Sequence, residues 1–248
     1  MSGSAQAAAG VAAVEFSGLT DPGRVRTLNE DAFHVGQGQG RQVIAIVADG
    51  MGGHKSGEVA SQKAVDSLRR ELERSRSQPP VTIARAMQLA NLDIFDHSVE
   101  NPEHKGMGTT CTVMVLDDQV GLIGQVGDSR AYLLRGDELR QLTLDHSWVA
   151  DRVRQGILSE EEARQHRWRN IITNTLGSSP EVKLDLLHFE VQPGDVVWVR
   201  GGTYSPDVIF SRGGSADNPI VIESYPGECA ILDGAGMSRP SQLRFIGA

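Results

Sequence analysis

Val43-Ile44-Ala45-Ile46-Val47-Ala48-Asp49-Gly50-Met51-Gly52-Gly53-His54 is the stretch from which the chain is best read. Val43 to Ala48 is an unbroken apolar run, the pattern of a strand covered on both faces. Asp49 is expected to end the strand, and a helix is expected from about Gly57. A carboxylate at the mouth of a sheet, followed by glycines that let the backbone bend and approach closely, suits a hard cation. Taken alone, Asp-Gly is also among the commonest turn signals, and a strand-ending turn is its simplest reading.

The rest of the chain bounds the possibilities. Its 248 residues suffice for one large domain, or one domain with an appendage. A net charge of −8 argues against bulk nucleic-acid binding, which needs a basic face. No apolar run approaches the length of a membrane span. Cys111 and Cys229 are the only cysteines, which excludes a disulfide framework and a thiolate zinc cluster and favours a reducing, cytoplasmic setting. Residues 1–12 are rich in Ala, Gly and Ser, without a basic start or a leucine-rich core, and read as a flexible tail.

Val14 to Thr20 and Ala32 to Val35 read as strands flanking the polar segment Arg24-Val25-Arg26-Thr27-Leu28-Asn29-Glu30-Asp31. Arg26, shortly before a carboxylate pair, could grip a phosphate in a bidentate fashion or form a surface salt bridge. Helical spacing runs from Gly57 to Arg76, with Ala60, Ala64, Leu68 and Leu72 on one side, and again from about Val81 to Val99. Gly106 to Thr110 opens a strand over Cys111 to Leu116. Val120 to Val126 forms another and ends in Gly127-Asp128-Ser129-Arg130, a second carboxylate at a strand end. A hairpin follows around Arg135 to Glu138. Two short helices are expected over Ser147 to Gln155 and Ser159 to Gln165, the second with a Ser159/Glu162 capping box. Asn170 to Leu176 and Leu184 to Val191 resume extended structure.

Four elements thus stand in one order: Arg26 with Asn29-Glu30-Asp31, then Asp49-Gly50-Met51-Gly52-Gly53, then Gly108-Thr109-Thr110, then Gly127-Asp128-Ser129-Arg130. Together they resemble the PPM family of metal-dependent protein serine/threonine phosphatases in its bacterial form, over roughly residues 14 to 195. The segment after Asp145-His146-Ser147, with Arg169-Asn170-Ile171-Ile172-Thr173, resembles that family's mobile flap. The resemblance implies an α+β fold, a four-layer α-β-β-α sandwich, with two or three Mg²⁺ or Mn²⁺ ions at one end. Two close cations acidify a bridging water for in-line attack on phosphorus. It further implies that Asp49 bridges the metals and that the Gly50 carbonyl binds one of them. Glu30 and Asp31 would hold water or orient the ligands, Asp128 would serve a weaker third metal, and Arg26 would hold the phosphate. The implied partners are phosphoproteins, including targets of bacterial serine/threonine kinases, with neither nucleic acid nor membrane, and the chain is expected to be a monomer.

The resemblance weakens toward the end. After Pro193-Gly194-Asp195-Val196-Val197-Trp198-Val199, Gly202 stands where the family places a metal-binding Asp. The last 56 residues hold 5 of the 10 prolines, no lysine and no helical spacing. They resemble the opening rungs of a right-handed parallel β-helix like those of polysaccharide lyases, too few to stand alone. The expected organisation is a tail over 1–12, a phosphatase domain over 13–195 lacking its last motifs, and a short all-β appendage over 196–248. The expected function is a phosphatase with weak or lost activity. The alternatives are a non-catalytic pseudophosphatase that binds a partner and, behind it, a carbohydrate-active β-helix protein. Val196 to Val199 is expected to keep its place in the family's sheet. A surrogate last strand at Ile220 to Ile222, bringing Asp217 toward the metals, is the weaker expectation beside chance likeness.

Overall fold

The computed structural model describes residues 14–21, 28–52, 56–117, 119–201 and 209–213. Arg26, Gly202, Asp217 and Ile220 to Ile222 lie outside the described residues, as do the N-terminal tail and most of the stretch that resembles β-helix rungs.

Two antiparallel sheets face each other. The first runs β1 (Val14–Ser17), β11 (Ile209–Gly213), β10 (Val196–Arg200), β7 (Arg130–Arg135), β8 (Glu138–Gln141). The second runs β2 (Asp31–Gln37), β3 (Val43–Met51), β5 (Cys111–Asp117), β6 (Val120–Val126), β9 (Asp185–Glu190), with the short β4 (Gly108–Thr109) against the end of β3. Strand alternation sends Ala45, Val47, Met114, Ile123, Ala131, Leu133, Val197 and Val199 into the gap between the sheets. The opposite face of the second sheet, through Ile44, Ile46, Ala48, Val113 and Val115, meets two helices.

Those helices are α1 (Ser56–Arg74) and α2 (Pro79–Glu100). Ala60, Ala64, Leu68 and Leu72 of α1, and Ile83, Met87, Ala90 and Ile94 of α2, are all buried. Full burial of a side chain such as Leu68 or Ile83 contributes roughly 1.5–3 kcal/mol. The second helix begins earlier than the apolar spacing suggests, because Pro79 and Pro80 occupy its first turn. There a missing N–H costs nothing and the fixed φ is already helical. Two shorter helices, α3 (Trp148–Arg154) and α4 (Glu160–Gln165), form an excursion between β8 and β9, and α4 carries the expected capping box. The described residues therefore make three layers, helices on sheet on sheet; no further helix covers the first sheet among them.

Two sequence expectations are corrected. Asp49 does not end its strand: β3 continues to Met51, with Gly50 paired to Thr109 and Met51 to Gly108. The backbone stays extended there because β4 offers it a partner. Asn170 to Leu176 is not a strand but contributes isolated bridges, Ile172 to Ser147 and Leu176 to Thr109. The strand expected over Val196 to Val199 stands in the first sheet, and residues 209–213 join it there. β10 pairs with β7 from Val196↔Leu134 to Arg200↔Arg130, and β11 lies between β10 and β1. The entry to β10 is held by Asp195, whose carboxylate takes a two-pronged grip from Arg135 at 2.9 and 2.7 Å and the Gln192 N–H at 2.8 Å.

Glycine 50 fixes how α1 seats on the sheet. A Cβ there would lie 2.0 Å from the Gly57 carbonyl oxygen and 2.6 Å from that of Glu30. Both obstacles are backbone and have no rotamer by which to retreat. Gly50→Ala is expected to destabilise the protein by roughly 3 kcal/mol, measured by urea unfolding. Gly40→Ala, at φ +64° but in open space, should cost about 1 kcal/mol. Equal, small losses in both would contradict this account.

Candidate active site

The site gathers where β2, β5 and β7 begin and β3, β6 and β10 end, at one end of the gap between the sheets. Asp31 and Asp49 are direct cross-strand partners on β2 and β3. They share the strand parity of Val35, Ala45 and Val47, so both fall on the face toward the gap. Direct partners stand about 4.5–5.5 Å apart at Cβ, and like charges so placed repel. A cation between them turns that repulsion into attraction.

The main chain of Asp49 is held by two threonines. Its N–H donates to Thr110 Oγ1 at 3.0 Å, and its carbonyl accepts from Thr110 N–H and from Thr109 Oγ1, each at 2.9 Å. Glu30 is set beside it: its carbonyl accepts from Gly50 N–H at 3.0 Å and from the Ser61 hydroxyl at 2.6 Å. Its carboxylate packs against Gly57, where a Cβ would stand 2.5 Å from Oε1.

Asp128 arrives from the other side, and a buried polar cluster carries it. Thr110 Oγ1 and Ser129 Oγ are 2.6 Å apart. The Thr112 hydroxyl donates to Gln125 Oε1, and Gln125 Nε2 donates to the carbonyls of Gly127 and Ser129 at 2.9 and 2.6 Å. Thr110, Thr112, Gln125 and Ser129 are all buried. Gly127 turns the loop at φ +100°, with the Thr110 side chain where its Cβ would be. Asp128 Oδ1 is buried with no hydrogen-bond partner among the described residues. Burial, and then the neighbouring Asp145 charge, push the Asp128 carboxyl above the usual carboxylate range. Asp145 itself takes a two-pronged grip from Arg130 at 2.9 and 2.6 Å.

Of the residues singled out in the sequence, Asp31 on β2, Glu30 just before it, and Asp49 and Gly50 on β3 are thus drawn together beside the start of α1. Asp128 is tied to them through Thr110 and Ser129. In the sequence, Thr110 and His146 stand out only as parts of motifs, and Thr112 and Gln125 not at all. A polar residue inside an apolar strand, as at Thr112 and Gln125, is the one signal that could have flagged the cluster. Cys111 is no candidate nucleophile: it is fully buried, and burial pushes its thiol up to about 12.

The donor set is all oxygen, the chemistry of Mg²⁺ or Mn²⁺ rather than of a soft metal. The unpartnered Asp128 oxygen and the facing pair Asp31 and Asp49 fit such an ion. Among the described residues, however, no three carboxylate, imidazole or thiolate side chains converge closely enough to hold one.

The family model for protein phosphatase 2C matches residues 23–178. The chain belongs to the protein phosphatase 2C family. The serine/threonine phosphatase stp of Listeria innocua is 37% identical over 183 residues, covering 72% of this chain and 73% of its own. Protein phosphatase PhpP of Streptococcus pneumoniae is 35% identical over 233 residues, covering 89% of this chain and 94% of its own. A match over that share of 248 residues continues past Asp195. Among solved structures, the serine/threonine phosphatase Stp1 of Staphylococcus aureus superposes with a TM-score of 0.73 at 28% identity, covering 86% of this chain and 99% of that one. The catalytic domain of the phosphatase PstP, solved with two manganese ions, superposes with a TM-score of 0.66 at 32% identity, covering 75% and 76%. This phosphatase 2C relative therefore supports the hard-cation chemistry that the oxygen donors suggest, and Mg²⁺ or Mn²⁺ is the family's metal.

The raised Asp128 carboxyl has a measurable consequence. A carboxyl held above its unfolded value binds its proton more tightly when folded, so its charge weakens the metal-free fold as pH rises through the raised range. Asp128→Asn is therefore expected to raise the melting temperature at pH 7.5 in the presence of chelator, with the gain vanishing toward pH 4. Added Mn²⁺ should stabilise the wild type more than the variant. A variant that melts lower than wild type in chelator at pH 7.5 would contradict the desolvation account.

Proposed function

We propose that this chain is a metal-dependent protein serine/threonine phosphatase that hydrolyses phosphoserine and phosphothreonine, with activity reduced relative to a complete family site. The carrying observation is the cross-strand pair Asp31 and Asp49 at the mouth of the sandwich, with the unpartnered Asp128 oxygen tied to it through Thr110 and Ser129. Asp49, Asp31, Glu30, Asp128 and the Gly50 carbonyl are the groups that would hold Mg²⁺ or Mn²⁺. When bound, the metal supplies positive charge to the phosphoryl group and a water acidified enough to attack phosphorus near neutral pH. The chain's part is to fix these oxygens. Thr109 and Thr110 hold the Asp49 backbone, Gly57 makes room for the Glu30 carboxylate, and the polar cluster holds the Asp128 loop.

Arg26 is assigned the substrate phosphate because a guanidinium matches a phosphoryl group in charge and fork geometry. The domain is taken from residue 13 through at least residue 213; the place of β10 and β11 in the first sheet, and the length of the streptococcal match, support that extent. A cytoplasmic monomer acting on phosphoproteins, among them targets of bacterial serine/threonine kinases, is the setting proposed. No described helix is long and apolar enough to cross a membrane.

One observation favours a second reading, a non-catalytic module that binds phosphoprotein. No group of three carboxylate, imidazole or thiolate side chains placed to hold a metal stands among the described residues, and Gly202 offers no side-chain oxygen. Affinity for a hard cation follows the number of charged ligands, so metal binding should be weak.

Hydrolysis of p-nitrophenyl phosphate and of a phosphothreonine peptide under a Mn²⁺ titration separates the two. The wild type is expected to show Mn²⁺-dependent turnover, and Asp49→Asn none above the buffer blank. Equal rates in both, or none in the wild type at high Mn²⁺, would end the enzyme reading. Thr110→Val, which keeps the shape but removes the hydroxyl between Asp49 and Ser129, should lower activity by roughly 10–100-fold. Unchanged activity would show that the Asp49 backbone does not depend on that hydroxyl.

A further inference from the structure

His146 stands where three segments meet, and it bonds to each of them. Its imidazole Nδ1 lies 3.2 Å from the Gly127 backbone nitrogen and 2.9 Å from Asn174 Nδ2. Its Nε2 lies 3.1 Å from Asp185 Oδ2. Its backbone N–H donates to the Gly127 carbonyl at 2.9 Å, and its own carbonyl accepts from Thr173 N–H at 2.8 Å. The residue is 8% exposed.

The chemistry of these partners fixes the ring. A backbone N–H only donates, so Nδ1 must present its lone pair to Gly127, and the proton must sit on Nε2, where it is donated to Asp185. Asn174 Nδ2 has two hydrogens, and its second bond goes to the Lys183 carbonyl at 2.7 Å. Gly127 is therefore held between the Thr110 side chain on one side and His146 on the other. The next residue is Asp128.

His146 also opens the two-helix excursion. Trp148 N–H donates to the Ile171 carbonyl at 2.8 Å, which with the Thr173 bond zips the outgoing limb to the returning one. Along the excursion Trp148 stacks on His166 at 4.8 Å and meets Trp168 edge-on at 4.6 Å, so the limbs and the two short helices form one packed unit. The neighbouring Arg130–Asp145 pair anchors the same limb to β7 but makes no bond to the Gly127–Asp128–Ser129 loop.

We propose that His146 is a positioning residue: its imidazole ties the 147–173 excursion to the Asp128 loop, so that the placement of one sets the placement of the other. The inference rests on the phosphatase reading above only for its catalytic consequence. A buried histidine that merely stabilises the fold would leave the two segments independent.

Two substitutions in the full chain separate these cases. His146→Asn keeps an acceptor near the position of Nδ1; His146→Gln keeps a donor that reaches Asp185 but offers Gly127 nothing. Amide hydrogen exchange of the metal-free protein is the primary readout. His146→Gln is expected to speed exchange about tenfold, the worth of one hydrogen bond, in 127–129 and in 147–173 together, with β3 and β5 unchanged. His146→Asn should restore most of the protection in both segments. In Mn²⁺-dependent turnover of p-nitrophenyl phosphate, His146→Gln should lower kcat and raise the half-saturating Mn²⁺ concentration, and His146→Asn should recover both. Faster exchange in one segment alone, or equal losses in both variants, would overturn the proposal. If neither variant folds, Asp185→Ala frees Nε2 from a partly exposed position on β9 and should give the same paired change; no paired change there would also overturn it. A wild type without Mn²⁺-dependent turnover would remove the phosphatase reading but leave the exchange measurement to decide the coupling.

Discussion

Every backbone group of Asp49 is already engaged. Its N–H goes to the Thr110 hydroxyl, and its carbonyl takes the Thr110 N–H and the Thr109 hydroxyl. The residue cannot shift along its strand without leaving buried polar groups unsatisfied, at roughly 1–3 kcal/mol each. Strand parity aims its side chain at the gap between the sheets. Placing Asp31 directly across from it, on the same face, creates an acidic pair that the fold alone does not favour.

What holds such a pair in place is the packing behind it. The opposite face of β3 is closed by α1 and α2, and the first turn of α1 comes so near that only glycine fits at position 50. The inner face is closed by the apolar side chains of β7 and β10. At the end where Asp31 and Asp49 stand, apolar packing gives way to hydroxyls and amides: Thr110, Thr112, Gln125 and Ser129. Each is bonded to another or to a loop carbonyl, so the cluster fixes the Gly127–Asp128–Ser129 turn without a disulfide or a long loop. A satisfied buried polar network specifies one arrangement more sharply than apolar contact does. It thereby ties the Asp128 loop to Thr110, the residue that also holds the Asp49 backbone.

The relation to bacterial phosphatases of the 2C family bears on the last part of the chain. The strand Val196–Arg200 lies where its alternation places it, with Val197 and Val199 in the core between the sheets. Residues 209–213 then return to fill the sheet between β10 and β1. A composition rich in proline and poor in lysine, read along the sequence, suggests foreign material from residue 196. Backbone pairing is less selective than side-chain packing, and a strand needs only an extended segment of fitting length to complete a ladder.

The sequence by itself determined the family, through the order of four short motifs. It also determined the two core helices, the buried central strand and the capped helix α4, because apolar period and cap chemistry are local properties. It pointed to Asp31, Asp49, Glu30 and Asp128 as acids near glycines. Tertiary structure decided the rest. The extension of β3 through Asp49 and Gly50 depends on β4, a partner about 60 residues away, and an Asp-Gly pair read locally looks like a turn. That Asp31 faces Asp49 is a matter of register between strands. The roles of Thr110, Gln125 and His146 exist only through partners that the fold brings to them, since a single threonine, glutamine or histidine carries no pattern of its own. Hydrogen-bond networks are made across the chain, and no periodicity along it records them.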